Sequence, residues 1–119
     1  MSKKIVKQMP LSLPEVKEVL EQKIESLDAM QLRVLEYVRK YSKLSPDRAR
    51  RLIEELMSNF DLTREEAVQI VDICPTHIEE LRSILSGYKR LVSFILFSED
   101  KLQAIVNTVQ KYLEEESQE

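Results

Sequence analysis

The chain's single cysteine and single histidine stand three residues apart, in Cys74-Pro75-Thr76-His77. A thiol and an imidazole so placed can form a nucleophile–base pair, the ring taking the proton and leaving a reactive thiolate. That chemistry needs an accessible, electropositive pocket, and the flanking residues are of another kind. Ala67, Ile70, Val71 and Cys74 recur at helical spacing, and Ile78, Leu81, Ile84 and Leu85 resume it after the break. Pro75 cannot extend the first helix, because it lacks the N–H and its ring clashes with the preceding turn. It also pushes Cys74 out of the α region. Thr76 and Glu79 have capping-box spacing. The stretch therefore reads as a joint between two helices, with Cys74 a small core residue and His77 at the exposed start of the second helix.

Other reactive constellations are equally sparse. The sequence has no glycine-rich phosphate loop, no nucleophile elbow and no CxxC or HExxH spacing. A zinc site would have to draw most of its ligands from carboxylates, which is uncommon. The glutamate pairs at 54/55, 65/66 and 79/80 lie beside basic residues and read as solvated helix faces. The expectation is a chain with no catalytic residue, metal, cofactor or small-molecule substrate of its own.

The elements that would carry these residues are helices. A length of 119 residues fits one domain with an appended segment, able to bury roughly two-thirds of its unfolded surface. One glycine and four prolines are too few for the turns of a sandwich or barrel. Helix starts recur instead: Ser12–Glu15, Asp28–Gln31, Thr63–Glu66 and Thr76–Glu79 are capping boxes. Ser45 precedes a proline and an acid, and Ser98 precedes two acids. Ala49, Leu52, Ile53, Leu56, Met57 and Phe60 mark one apolar face, and Leu102, Ile105, Val106, Val109, Tyr112 and Leu113 another. The first helix carries Leu13, Val16, Leu20, Ile24 and Leu27. The second is apolar over a wider arc (Leu32, Val34, Leu35, Tyr37, Val38, Tyr41), which predicts packing on two sides. The fold class is all-α, a bundle of about six helices with a short extended N-terminal segment.

Charge and hydropathy bound the setting. The net charge of −3 is uneven: residues 33–51 hold seven basic groups against Glu36 and Asp47, while the tail is acidic. Such asymmetry can mark a polyanion or a charged partner. The apolar stretch LVSFILF (91–97) is far shorter than the ~20 residues of a membrane span. The N-terminus has no long apolar core behind its lysines, so it is not a secretory signal. A lone cysteine excludes an internal disulfide framework and suits a reducing interior. The expected location is the cytoplasm.

The ordered series VLEYVRKYSKLSPDRARRLIEEL (34–56), LTREEAVQIVDICP (62–75), THIEELRSIL (76–85) and IVNTVQKYL (105–113) resembles the F-subunit family of archaeal DNA-directed RNA polymerase. This family is the counterpart of the fourth subunit of eukaryotic RNA polymerase II. The resemblance covers about residues 32 to 113, and it implies a non-catalytic component of a nucleotidyltransferase. Such a component pairs with the polymerase E-subunit, the counterpart of the eukaryotic seventh subunit. The heterodimer forms the polymerase stalk, which supports transcription initiation, handles nascent RNA and receives transcription factors. The resemblance further implies an HRDC-like C-terminal domain over 45–119, with residues 1–44 packing on the partner. On that view Ile5, Val6, Met9 and Leu11 lie along the E-subunit by strand addition, Pro10 confining any such strand to an edge. Leu32 and Leu35 belong to the larger contact of the second helix. Gly87 would end a helix, and residues 88–97 read as extra core or as a second docking surface.

The alternative is a stand-alone HRDC-like nucleic-acid-binding module. Arg50–Glu54, Arg51–Glu55 and Glu36–Lys40 are i,i+4 pairs, which leaves Arg39, Lys43 and Arg48 to meet phosphate groups.

Overall fold

Ser12, Asp28 and Thr63 each close a reciprocal capping box. The cap side chain accepts from the backbone N–H of Glu15, Gln31 or Glu66, and that residue's side chain accepts from the cap N–H in return. Ser45 and Ser98 accept from the N–H groups of Arg48 and Lys101. These caps open five helices in the computed structural model, which describes residues 10–86 and 98–118. They are α1 (Leu13–Gln22), α2 (Ala29–Tyr41), α3 (Pro46–Phe60), α4 (Arg64–Ile73) and, after α5 (Ile78–Ser86), α6 (Glu99–Ser117). A 3-10 turn, Ile24–Ser26, lies between α1 and α2. No strand occurs among the described residues, so the all-α expectation holds. The expectations for residues 1–9 and 87–97 lie outside the described residues.

The sixth start differs from its expected form. α5 begins at Ile78, and the carbonyl of His77 takes the first helical bond from Leu81 N–H at 3.2 Å. Thr76 does not cap: its hydroxyl meets Glu80 Oε1 at 3.4 Å, and its carbonyl accepts from Gln110 Nε2 at 3.3 Å. A tertiary contact with α6 has taken over from the local motif. The break before it is as expected. Cys74 caps α4 in the left-handed region (φ 51°, ψ 63°), with its N–H still bonded to Ile70 O.

α3, α4, α5 and α6 pack in a closed cycle, each against the next and α6 back against α3. Their inner faces form one apolar cluster, in which Ala49, Leu52, Ile53, Leu56, Ala67, Ile70, Leu81, Ile105 and Val109 are fully buried. At ~25 cal/mol per Å² of apolar surface removed from water, this cluster is the main stabilising term. Polar ties close its rim. Arg48 lies 3.2 Å from Glu116 and 3.9 Å from Glu115, joining the start of α3 to the end of α6. Tyr112 donates to Glu55 Oε1 at 3.0 Å, and Arg82 bridges Glu79 and Glu99.

The hairpin of α1 and α2 stands outside this cluster. α1 packs on α2 and on α3, whereas α2 has its main contact with α1 alone. The stripe expected on the first helix is only partly realised. α1 ends at Gln22, Ile24 is 45% exposed, and the best-buried residues of α1 are Pro14 and Glu15.

Candidate docking site on the helical hairpin

Met30, Val34, Tyr37 and Tyr41 follow one another at spacings of four, three and four, which places them in one row along α2. All four are exposed, Met30 at 70% and Tyr37 at 56%. The Tyr37 and Tyr41 rings confirm the row, with centroids 4.6 Å apart and planes tilted by 45°. Lys40 sits 5.4 Å from the Tyr41 ring, and Arg33 and Lys40 give this helix a cationic margin. Val19 and Ile24 in the same hairpin, and Leu11 just before it, are exposed as well. Isolated exposed apolar side chains are ordinary, but a contiguous row with charged margins marks an interaction surface.

The residues expected to meet a partner are distributed unevenly. Leu11 (44% exposed) and Leu32 (41%) are accessible. Leu35 is not: it is 1% exposed and, with Val38, forms the buried side of α2, the helix that packs on α1. The wide apolar arc led to an expectation of packing on two sides; among the described residues α2 packs mainly on α1 alone, and the rest of the arc is exposed. Leu32 lies on the opposite flank of the buried pair from the Met30–Tyr41 row. Ile5, Val6 and Met9 fall outside the described residues.

The three cations expected to meet phosphate are all engaged within the chain. Arg39 Nε pairs with Glu21 Oε1 at 3.1 Å, both side chains being exposed. Lys43 Nζ donates to Ile73 O at 2.6 Å. Arg48 is 9% exposed and faces Glu115 and Glu116. Arg50 turns away from its expected partner Glu54: its guanidinium forks onto Glu18 at 3.0 and 3.2 Å and reaches Asp47 at 2.7 Å. These bonds, Glu18 first, raise its pKa and hold it charged.

The hairpin is seated by directional polar contacts to α4 as well. Arg64 Nε donates to Pro10 O at 3.0 Å, and Arg64 Nη2 to Glu15 Oε2 at 3.4 Å. Leu13 N–H donates to Asp72 Oδ1 at 2.8 Å. Burial raises the Asp72 pKa above the ordinary carboxylate value, the Leu13 N–H opposes that rise, and the Glu15 charge adds to it. Close by, Cys74 is 4% exposed and its thiol contacts Val71 O at 3.0 Å. Burial pushes the thiol up to about 11, against the smaller effect of Lys43. His77 is exposed while Cys74 is enclosed, as the joint reading expects. No group of three metal-ligating side chains occurs among the described residues, and none of their helices is long and apolar enough to cross a membrane.

Fold and site define an all-α protein in which a closed helical cycle carries an apolar hairpin on polar mounts. The chain belongs to the RNA polymerase Rpb4 family, whose description matches residues 10–113. It is similar to the DNA-directed RNA polymerase subunit Rpo4 of Methanocaldococcus jannaschii, 31% identical over 113 residues that cover 93% of this chain and 90% of that protein. The subunit Rpo4 of Sulfolobus acidocaldarius is 29% identical over 84 residues, 69% of this chain and 68% of the relative.

Proposed function

We propose that this protein is a non-catalytic subunit of an archaeal-type DNA-directed RNA polymerase, pairing with the polymerase E-subunit and joining the enzyme through it. Family membership and the names of the two relatives support the polymerase assignment. The observation that carries the pairing is the uncovered row Met30–Val34–Tyr37–Tyr41 on a helix whose other side is buried. A chain that leaves two tyrosines, a valine and a methionine in line on its surface is built to cover them with another protein, and aromatic side chains dominate such contacts. The margin of Arg33 and Lys40 suits a partner surface edged with carboxylates.

On this reading residues 1–44 serve the partner and residues 45–119 form an HRDC-like support, at work in the cytoplasm. Ile5, Val6, Met9, Leu11 and Leu32 extend the contact, whereas Leu35 supports it from within. The test is co-purification with the E-subunit of the same polymerase. Tyr37→Glu should leave the unfolding free energy within ~0.5 kcal/mol of the parent, because the residue is exposed. It should weaken the complex by about 2 kcal/mol or more. Full-strength association of Tyr37→Glu, or no association of the parent chain, would overturn the reading.

RNA contact is a second reading, favoured by one observation, the exposed Tyr37–Tyr41 pair beside Lys40. Bases stack on such pairs. Arg39 and Lys43 are exposed enough to exchange their internal partners for phosphate, whereas Arg48 would have to leave two carboxylates. A salt titration decides it: phosphate contacts make affinity fall steeply with salt, and a flat response removes the reading.

A further inference from the structure

Among the described residues, the apolar cluster contains none from α1 or α2. What fixes the hairpin's direction must therefore be sought in its contacts with α3 and α4: α3 supplies the Arg50–Glu18 fork, and the bonds from α4 gather at the start of α1. Three bonds cross from α4 to that turn, each linking residues 49 or more apart in sequence: Arg64 to Pro10 O, Arg64 to Glu15 and Leu13 N–H to Asp72. Glu15 is itself 6% exposed and also closes the Ser12 capping box, so Arg64 grips a carboxylate that is already held. Asp72 takes a donor that α1 cannot satisfy internally, since the first N–H groups of a helix lack intrahelical partners. A half-buried carboxylate beside a second carboxylate is an expensive way to supply that acceptor. Directional hydrogen bonds fix an angle in a way that apolar contact, which has no preferred direction, does not.

We infer that Arg64 and Asp72 are positioning residues for the docking site: from α4 they clamp Pro10 and the first turn of α1, and so set the angle at which the hairpin meets its partner. They lie on a different helix from the Met30–Tyr41 row and act by holding its mount. This inference rests on the docking reading above for its consequence, but not for its geometry. A mount that is already rigid reduces the ordering lost on binding, and that is how residues away from an interface raise affinity.

The experiment uses the full-length chain and three substitutions, Arg64→Ala, Asp72→Ala and Arg82→Ala. The last removes an exposed arginine that ties α5 to α6 through Glu99, away from the hairpin. Two quantities are measured: affinity for the E-subunit, and amide hydrogen exchange along the free chain. Arg64→Ala and Asp72→Ala should each weaken binding about tenfold, while Arg82→Ala changes it less than twofold. In the free chain the same two should speed exchange in α1 and α2 and leave α3 and α6 as in the parent. Arg64→Lys, which keeps the charge but cannot hold Pro10 O and Glu15 together as a planar fork does, should fall between. It also serves if the alanine variant does not fold. Unchanged affinity, or a loss no greater than that of Arg82→Ala, would overturn the inference although the parent complex forms. A parent chain that ignores the E-subunit would instead sink the docking reading. The exchange pattern would then decide the clamp alone, with uniform acceleration over all helices or none at all counting against it.

Discussion

Burial acts on Cys74 and Tyr112 in the same direction, and the consequence is a fold that is sensitive to alkali. The Cys74 thiol rises from 9.0 to about 11 through burial, and the Tyr112 phenol from 10.0 to about 12 through burial and its bond to Glu55. In each case the protonated form belongs to the folded state, so the unfolded chain releases its proton first as pH climbs. The stabilisation is complete below pH 9 and is lost as pH passes through the folded-state values. The urea midpoint should therefore fall from about pH 9 upward. Cys74→Ala should remove the part of the fall that lies between 9 and 11, and Tyr112→Phe the part between 10 and 12. Tyr112→Phe should also cost about 1 kcal/mol at neutral pH, through the lost bond to Glu55. A midpoint that stays flat to pH 11 in the parent would contradict the burial of both groups. The same burial explains why thiol and imidazole make no pair here: the thiol is enclosed and held protonated, whereas His77 faces water.

At the scale of the element, the two threonine boxes make a controlled comparison. Thr63 caps α4 with reciprocal bonds to Glu66, so Thr63→Ala should cost about 1 kcal/mol in chemical denaturation. Thr76 has the same spacing to its glutamate but caps nothing, so Thr76→Ala should stay within about 0.5 kcal/mol. Equal losses would mean that α5 starts where its sequence motif does. The pair also shows what was legible beforehand. Caps at Ser12, Asp28, Ser45, Thr63 and Ser98 were readable because each needs only residues within one turn. The buried stripes of α3 and α6 were readable because their period matches a single covered face. Thr76 was not, because its carbonyl was recruited by Gln110, 34 residues away. Arg50 was not, because Glu18 offers a forked contact that Glu54 on its own helix does not. On α2 the apolar arc was visible, yet the division into a buried side (Leu35, Val38) and an exposed row (Met30, Val34, Tyr37, Tyr41) depends on where α1 lies. Single-residue spacing carries no such information.

At the scale of the molecule, the two parts are held by forces of different kinds, and salt should separate them. The cycle of α3 to α6 rests on buried aliphatic side chains, an interaction that added sodium chloride does not weaken. The hairpin is held together by a smaller buried contact around Leu35 and Val38 and by Arg39–Glu21, and it is tied to the cycle through α1 by packing on α3 and by Arg50–Glu18 and Arg64–Glu15. In Arg39–Glu21 and Arg50–Glu18 both side chains are well exposed, and such pairs are screened once the Debye length shrinks from ~10 Å at 0.1 M to ~3 Å at 1 M. Each exposed pair contributes little, about 0.2 to 1 kcal/mol, but they act on the part of the chain with the least apolar support. Raising sodium chloride from 0.05 to about 1 M should therefore speed hydrogen exchange several-fold in α1 and α2. Exchange at buried positions of α3 and α6, such as Ile53 and Ile105, should remain constant or slow. Glu18→Gln should remove part of the salt response of the hairpin without altering that of α6. If the hairpin and the cycle responded to salt alike, they would be opening as one cooperative unit. The hairpin's apolar seat would then outweigh its polar mounts, and the orientation of the Met30–Tyr41 row would owe little to charge.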